Sequence, residues 1–343
     1  MTEPEKQNQH SSRPSEQASA SLLVKNPEVL KRPAVYTALA LIACALWGTA
    51  FPCIKLGYQW GEISGTASQI LFAGCRFTLA GLMTWLIGSV LEKKLLRLRK
   101  GSLRPIAVYG LLQTTLNYIL FYIGLASITG SKGSIINGTS AIFSILIAWM
   151  LPPHEKMNLQ KITGCILGFL GILVINLSGL TGNGDPELLG TTLMIACAVV
   201  SGLSNVILKR IGNVGNPFQI TSGQLMIGGG ILLILGLVMG GRIGAWPTRF
   251  VWLLLYMSFL TAASFSIWTL IMNHNPVGKI SIFMFSIPVF GVVFSALFLG
   301  ENVWTLENMI SLVLICLGIF LVNRSDPQKT GKAEETGNPE DIT

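Results

Sequence analysis

The 343-residue chain is too apolar and too poor in charge to be a soluble globular protein. Hydrophobic residues make up 51% of it and charged residues 12%, about half the charged fraction of a typical soluble domain. The net charge of +8 belongs to loops and tails, so it does not form the basic stripe on one folded face that nucleic-acid binding requires. These properties indicate an all-α polytopic membrane protein.

Ten apolar segments follow one another along the chain. Each is long enough to cross about 30 Å of hydrocarbon as an α-helix of about 20 residues. They are apolar on all sides, and turns rich in Gly, Asn and Pro separate them. The polar ends, 1–33 and 326–343, are predicted to be disordered cytoplasmic tails. We predict spans at 35–57, 67–90, 105–127, 133–151, 159–178, 188–208, 218–239, 250–272, 280–299 and 304–323.

Basic residues alternate from one predicted loop to the next. The tails and every second loop hold 19 of them, whereas the intervening loops hold three, Lys132, Arg242 and Arg249. Loops rich in Lys and Arg stay on the cytoplasmic side of a membrane. We therefore predict that both termini are cytoplasmic.

The second half of the chain repeats parts of the first half. Ser134–Asn176 aligns without gaps with Ser281–Asn323 at an offset of 147, which pairs the fourth and fifth predicted helices with the ninth and tenth. The first and sixth helices match at an offset of 154. We predict two five-helix repeats, 34–178 and 188–323. The matched pairs include Gly48/Gly202, Lys55/Lys209, Phe143/Phe290 and Gly171/Gly318.

Five helices are an odd number, so the second repeat enters the membrane with the opposite polarity. Inverted repeats of this kind are common in transporters, where the two halves open a midplane site alternately to each side. The pattern favours a small-molecule transporter. A non-transporting receptor or structural membrane protein is the alternative from another class, but it would not require an inverted duplication.

Short motifs recur at characteristic places in these helices. They are Trp47–Phe51 followed by Lys55, Cys75-Arg76-Phe77, Ile287–Phe290, Leu299-Gly300-Glu301 and Gly318-Ile319. With these motifs in this order over residues 35–323, the chain resembles the EamA family of the drug/metabolite transporter superfamily. It departs from the family at Ala141, where proline is usual, and at Pro152-Pro153-His154 before Glu155.

The resemblance implies a secondary transporter of the bacterial inner membrane, often an exporter of amino acids or related metabolites. It implies a monomer or a weak homo-oligomer. The expected partners are a small-molecule substrate and the lipid bilayer.

Arg76 lies near the middle of the second predicted helix, about nine residues from its start at about 1.5 Å per residue. An arginine at this depth must face a partner or a wet cavity. Two interpretations stay open: Arg76 binds a carboxylate or phosphate of the substrate, or backbone carbonyls satisfy it structurally. Trp47, likewise, either stacks on a substrate or only packs against neighbouring helices.

The third predicted helix carries a polar and aromatic stripe. Gln113 and Asn117 are four residues apart and share one face, and Tyr118 and Tyr122 share the adjoining face. Such a stripe either lines a cavity or bridges helices, and we predict a central cavity lined by both halves. Isolated candidates in other helices are Asn137, Asn205, Gln224, Ser264 and Trp268.

The sequence lacks the residue patterns of an enzyme. Its three histidines lie in a tail and two loops, its six cysteines form no Cys-x-x-Cys pair, and it has no G-x-x-x-x-G-K-[ST] phosphate loop. We therefore expect no catalytic site, metal, cofactor or ATPase subunit. The energy for transport would come from a solute or ion gradient or from an exchanged substrate.

The charges inside the predicted spans bear on the substrate. Apart from Glu307 at the start of the tenth span, no Asp or Glu lies inside a span. A buried carboxylate is the usual counter-ion for a cation and the usual proton carrier. Arg76 adds positive charge to the same region. We predict a zwitterionic, anionic or neutral metabolite, with amino acids the leading class; a multidrug or cation efflux transporter is the alternative.

Overall fold

The structure is a computed structural model that describes residues 27–97, 101–151, 158–175, 186–212, 214–275, 280 and 282–324. Every regular element of these residues is a helix. Within the predicted N-terminal tail, Pro27–Lys31 forms one short helix. Residues 1–26 and 326–343 of the tails, the turn at 181–185 and Glu155 lie outside the described residues.

The main helices follow the predicted spans closely. Seven of them are long and apolar enough to cross a membrane, and three others, α5, α9 and α10, are apolar but shorter. In chain order the helices are α1 Pro33–Trp60, α2 Thr66–Leu91, α3 Leu103–Ser127, α4 Gly130–Met150, α5 Leu159–Ile175, α6 Pro186–Ile211, α7 Pro217–Val238, α8 Thr248–His274, α9 Ser286–Leu299 and α10 Leu306–Arg324.

Large apolar side chains cover the outside of the helix bundle. Val90, Leu173, Val238 and Leu297 are among the many that are mostly exposed. In water such a continuous apolar surface would cause aggregation, whereas in a bilayer it contacts hydrocarbon. Together with the seven long apolar helices, this surface identifies a multi-pass integral membrane protein.

Three helices are irregular where the sequence predicts continuous spans. The middle of α3 is a π-helix, Leu111–Leu116. Helix α4 is interrupted at Thr139, and a 3₁₀ turn, Ile282–Phe285, precedes α9 at Ser286. The hydroxyl of Thr139 donates to Ile136 O at 2.6 Å, and the hydroxyl of Ser286 donates to Phe283 O at 2.5 Å. Such side-chain bonds to preceding carbonyls compete with regular helix bonding.

Helices α2 and α7 touch through their backbones. Gly74 of α2 lies against the backbone of Leu233, and Gly229 of α7 lies against that of Thr78. A Cβ atom added at Gly229 would lie 2.6 Å from Thr78 N. Close approach through small residues is how helices associate in lipid, where apolar side chains gain little by leaving hydrocarbon.

Helices that align in sequence make equivalent contacts in the bundle. Gly48 of α1 lies against Phe290 of α9, and its sequence match Gly202 of α6 lies against Phe143 of α4. An added Cβ would be 2.5 Å from Phe290 Cβ in the first case and 2.8 Å from Phe143 Cβ in the second. The helix pairs correspond in the same way. Helix α1 packs on α8 and α9, and its counterpart α6 packs on α3 and α4, which are the counterparts of α8 and α9.

We predict that Gly229→Ala destabilises the protein and that the adjacent Gly230→Ala does not. The added methyl group at Gly229 meets the α2 backbone, and overpacking of this kind costs about 1–3 kcal/mol. A Cβ at Gly230 meets nothing within 4 Å. Thermal unfolding of the purified variants in detergent measures the difference. Equal melting temperatures for both variants would contradict the close α2–α7 contact.

Candidate functional site

A cavity of about 130 Å³ lies between the helices, large enough for several water molecules. Of helices α1–α10, only α5 and α10 contribute no lining residue. The structure brings nine of the eleven predicted site residues to this cavity, and their role in binding a substrate stays a prediction. They are Trp47, Arg76, Gln113, Asn117, Tyr118, Asn137, Asn205, Gln224 and Trp268.

The lining of the cavity extends towards one end of the bundle. Tyr109, Leu208 and Ile220 continue it beyond the central polar residues. They lie near the start of α3, the end of α6 and the start of α7. This is the end that carries the strongly basic 91–104 loop.

At the opposite end of the bundle, hydrogen bonds and an ion pair join neighbouring helices. The Glu301 carboxylate, just after α9, accepts hydrogen bonds from the N–H groups of Gly130 and Ser131 at 2.7 and 2.9 Å and from Ser131 Oγ at 2.7 Å. It thereby satisfies free donors at the start of α4, where the helix dipole favours a negative charge. Lys132 Nζ lies 2.8 Å from Glu187 Oε1 and ties α4 to the start of α6.

Arg76 is almost fully buried, and hydroxyl groups hold it. Its Nε and Nη2 donate to Thr261 Oγ1 at 3.1 and 2.9 Å, and its Nη1 donates to Tyr122 Oη at 3.0 Å. Nε also lies 3.3 Å from Met257 O, and the guanidinium carbon lies 5.0 Å from the Phe77 ring centroid. In the described part of the chain no carboxylate pairs with Arg76.

The structural interpretation of Arg76 is partly correct, and its binding of a substrate stays a prediction. Its protein acceptors are two hydroxyls and one backbone carbonyl, which fix the side chain between α2, α3 and α8. A guanidinium has five N–H groups, and two of them have no acceptor among the described residues. Since Arg76 also lines the cavity, its positive charge remains available to a ligand.

Two of the predicted site residues, Tyr122 and Ser264, do not line the cavity. Tyr122 lies one turn beyond Tyr118 on α3, towards the closed end, and is fully buried behind Arg76. Its carbonyl accepts a hydrogen bond from Tyr58 Oη at 2.7 Å. The buried Ser264 hydroxyl points back along its own helix and donates to Thr261 O at 3.4 Å. Both residues therefore contribute to packing around the cavity and not to its wall.

Three aromatic rings form one wall of the cavity. The Trp47 ring centroid lies 5.3 Å from that of Trp268 and 5.5 Å from that of Phe265. Such edge-to-face and tilted pairs add stability beyond simple burial, so Trp47 packs and lines the cavity at the same time. The three rings give the cavity an apolar surface in addition to its polar side chains.

Side-chain amides provide five of the other polar groups of the lining. Asn117 Oδ1 accepts from Ser201 Oγ at 2.8 Å and from Cys197 Sγ at 3.1 Å. Gln224 Oε1 accepts from Thr114 Oγ1 at 2.6 Å. Hydrogen bonds of this kind join α3 to α6 and α7. Asn205 Nδ2 donates to Ser144 Oγ at 3.0 Å and joins α6 to α4 in the same way.

Several lining residues carry no distinctive sequence signal. Ser140, Ser201, Thr221, Thr269 and Phe265 all face the cavity. Serine and threonine occur throughout these helices, and each hydroxyl can donate to a backbone carbonyl on the preceding turn of its own helix. Position within an apolar segment therefore does not separate those that line a cavity from those that only pack.

Known proteins share both the sequence and the fold. Over 302 residues the chain is 30% identical to the uncharacterized transporter YvbV of Bacillus subtilis, covering 87% of this chain and 95% of that protein. Over 183 residues it is 26% identical to the S-adenosylmethionine/S-adenosylhomocysteine transporter of Chlamydia trachomatis, covering 51% and 52%. One crystal structure has the same fold, with a TM-score of 0.61 at 17% identity over 84% of this chain and 96% of that one.

The sequence pattern that defines one family matches this chain twice. The EamA-like transporter family matches residues 35–177 and again residues 188–324. These two segments contain every residue that lines the cavity and all ten apolar helices, except the first two residues of α1 and of α6. The chain belongs to the EamA-like transporter family.

Proposed function

We propose that the protein is a secondary-active transporter of small metabolites, built from two inverted five-helix repeats, α1–α5 and α6–α10. The observation that carries the proposal is the cavity, which helices of both halves line. At one end of the bundle, hydrogen bonds and an ion pair join the helix ends. In alternating access, a site between two such halves opens first to one side of the membrane and then to the other.

Equivalent contacts in the two halves support the inverted repeat. Gly171 of α5 faces Ile315 of α10, and Gly318 of α10 faces Gly168 of α5. Gly318 is the counterpart of Gly171, and Ile315 is the counterpart of Gly168, both at the alignment offset of 147. The contacts between α2 and α7 are related in the same way, at an offset of 155. Gly74 contacts Leu233, and its counterpart Gly229 contacts Thr78, which is the counterpart of Leu233. A pseudo-two-fold axis explains both patterns.

The distribution of charge supports an inward-facing state. The cavity extends towards the end with the basic loops, which the charge rule assigns to the cytoplasm of a bacterial inner membrane. Glu301 and the Lys132–Glu187 ion pair then close the outer end. A substrate would enter this state from the cytoplasm, as an exporter of metabolites requires.

The lining of the cavity favours a zwitterionic or anionic substrate. No Asp or Glu lies among the lining residues, whereas Arg76 offers two N–H groups. A carboxylate of an amino acid or a related metabolite is the natural partner for a guanidinium. The relative from Chlamydia trachomatis is named for S-adenosylmethionine, which is itself an amino-acid derivative.

Flux into proteoliposomes tests this function. The panel should contain amino acids, organic acids such as succinate, S-adenosylmethionine and quaternary ammonium cations. We expect saturable flux of at least one amino acid or organic acid. Strong transport of quaternary ammonium cations alone would favour the multidrug alternative, and no flux from folded protein would contradict the transporter proposal.

The proposed orientation predicts where introduced cysteines react. Lys94→Cys lies on the basic side and Arg242→Cys on the other side, and both positions are exposed. In a variant whose native cysteines are replaced by alanine, a membrane-impermeant maleimide added to whole cells should label Arg242→Cys and not Lys94→Cys. External labelling of Lys94→Cys would reverse the proposed topology.

The proposed role of Arg76 predicts that Arg76→Gln impairs transport of anions and zwitterions. A charged hydrogen-bond pair is worth about 1.5–3 kcal/mol, so kcat/KM should fall about 10- to 100-fold. Arg249→Gln is the matched control, because Arg249 lies exposed at the end of the bundle over the Trp60 ring. Melting temperatures check that both variants fold. Unchanged transport by Arg76→Gln would exclude Arg76 from the mechanism.

A further inference from the structure

We infer that three side-chain amides of the cavity present their NH₂ groups to a ligand, those of Gln113, Asn117 and Gln224. Thr114 and Ser201 are the positioning residues that set this polarity for Gln224 and Asn117. Asn205 has the other arrangement, because its Nδ2 donates to Ser144 Oγ. The inference rests on the proposed function and deepens it, because it defines the chemical group that the substrate must present. That group is a carboxylate with free acceptor oxygens.

Thr114 controls Gln224 from outside the cavity. Thr114 lies in the π-helical part of α3, is fully buried and does not line the cavity. Its hydroxyl donates to Gln224 Oε1 at 2.6 Å, so the amide oxygen is occupied on the protein side. The Gln224 NH₂ group has no acceptor among the described residues and, since Gln224 lines the cavity, it is left for a ligand.

Ser201 controls Asn117 in the same way. Ser201 Oγ and Cys197 Sγ, both on α6, donate to Asn117 Oδ1. Two donors on one oxygen leave the Asn117 NH₂ group as the free end of the amide. Asn117 is 3% exposed and lines the cavity, so this free end also faces the cavity.

Gln113 adds an independent sign that a ligand belongs here. Its side chain is 8% exposed and lines the cavity, but its amide forms no hydrogen bond with any described residue, and its Oε1 is enclosed. Buried polar groups in folded proteins are nearly always paired. Because the oxygen is enclosed, the NH₂ end of the Gln113 side chain is the part that a ligand can reach.

Two of these donors, Gln113 and Asn117, follow one another along α3 towards Tyr122, which holds Arg76. Gln113 and Tyr122 are nine positions apart, or about 13 Å along the helix. Along this length a ligand meets amide NH₂ groups and a guanidinium but no carboxylate. A carboxylate can accept from several of these groups at once. A cation lacking a carboxylate would find only aromatic faces and neutral oxygens.

The hydroxyl partners matter because an amide can present either end, and in the structure each hydroxyl donates to the amide oxygen. Rotating a glutamine amide by half a turn exchanges its oxygen and its NH₂ group with little change in shape. Without Thr114, Gln224 would be free to turn its oxygen to the cavity. The cavity would then bind donor groups of a ligand as readily as acceptor groups, so that selectivity for carboxylates would fall.

Thr114→Val tests the inference, with Thr115→Val as the matched control. Thr115 is the next residue of the same π-helix, is also buried, and donates to Gly228 O of α7 at 3.1 Å, but it neither lines the cavity nor touches an amide side chain. Both substitutions therefore remove one α3–α7 hydrogen bond. Only Thr114→Val releases Gln224.

The readout is selectivity in proteoliposomes. For each amino acid or organic acid that the wild type carries, apparent affinity is compared with that of its amide analogue, such as L-phenylalanine with L-phenylalaninamide or succinate with succinamide. We expect the wild type to prefer the carboxylate. Thr114→Val should reduce this preference about three- to tenfold, the effect of one hydrogen bond, whereas Thr115→Val should retain it.

A second variant separates positioning from general damage to the fold. In a Gln224→Met background, adding Thr114→Val should cause no further loss of selectivity, because Thr114 acts through Gln224. A further loss would overturn the positioning role, as would full selectivity in Thr114→Val. If the wild type prefers the amide analogues, this inference is overturned but the proposed transport function is not. If the wild type carries no compound of the panel, the proposed function fails and this inference fails with it.

Discussion

Backbone contact between α2 and α7 is the constraint on which the site depends. In lipid, apolar side chains gain little by moving from hydrocarbon into protein, so helices associate through close packing and polar contacts. Gly74 and Gly229 allow that packing at the centre of the bundle. Arg76 lies two residues after Gly74, and Gln224 lies five residues before Gly229. A side chain between these helices would therefore displace two of the residues that line the cavity.

The two halves are alike in packing but unlike in charge. At the offset of 155 that relates α2 to α7, the counterpart of Arg76 is Ile231. Among the residues whose burial is described, the duplicated scaffold thus holds a single buried guanidinium. Hydroxyls and a carbonyl hold it in place of a carboxylate. A carboxylate partner would neutralise the charge, whereas neutral acceptors orient it and leave it for a ligand.

Hydroxyl groups account for much of the local structure around the cavity. Thr139 and Ser286 bond to preceding carbonyls where α4 is interrupted and where α9 begins. These two residues are counterparts at the offset of 147, and each lies next to residues that line the cavity. Irregular helices are tolerated at membrane depth where they are buried or line a cavity. The π-helix of α3 fits this rule, because it carries Gln113 on the cavity wall.

The sequence by itself determined the class of the protein, the positions of its apolar helices and the internal matches, because about 20 apolar residues are needed to cross a bilayer and the pattern is local. It also indicated nine residues of the cavity, since polar and aromatic side chains inside such helices need a special environment. The tertiary structure alone decided that Tyr122 and Ser264 lie off the cavity wall, that Thr261 holds Arg76, and which end of each amide is free. These outcomes depend on contacts between residues up to 185 positions apart. Spacing along one helix cannot predict them, because the orientation of a side chain towards another helix is set by how the helices pack.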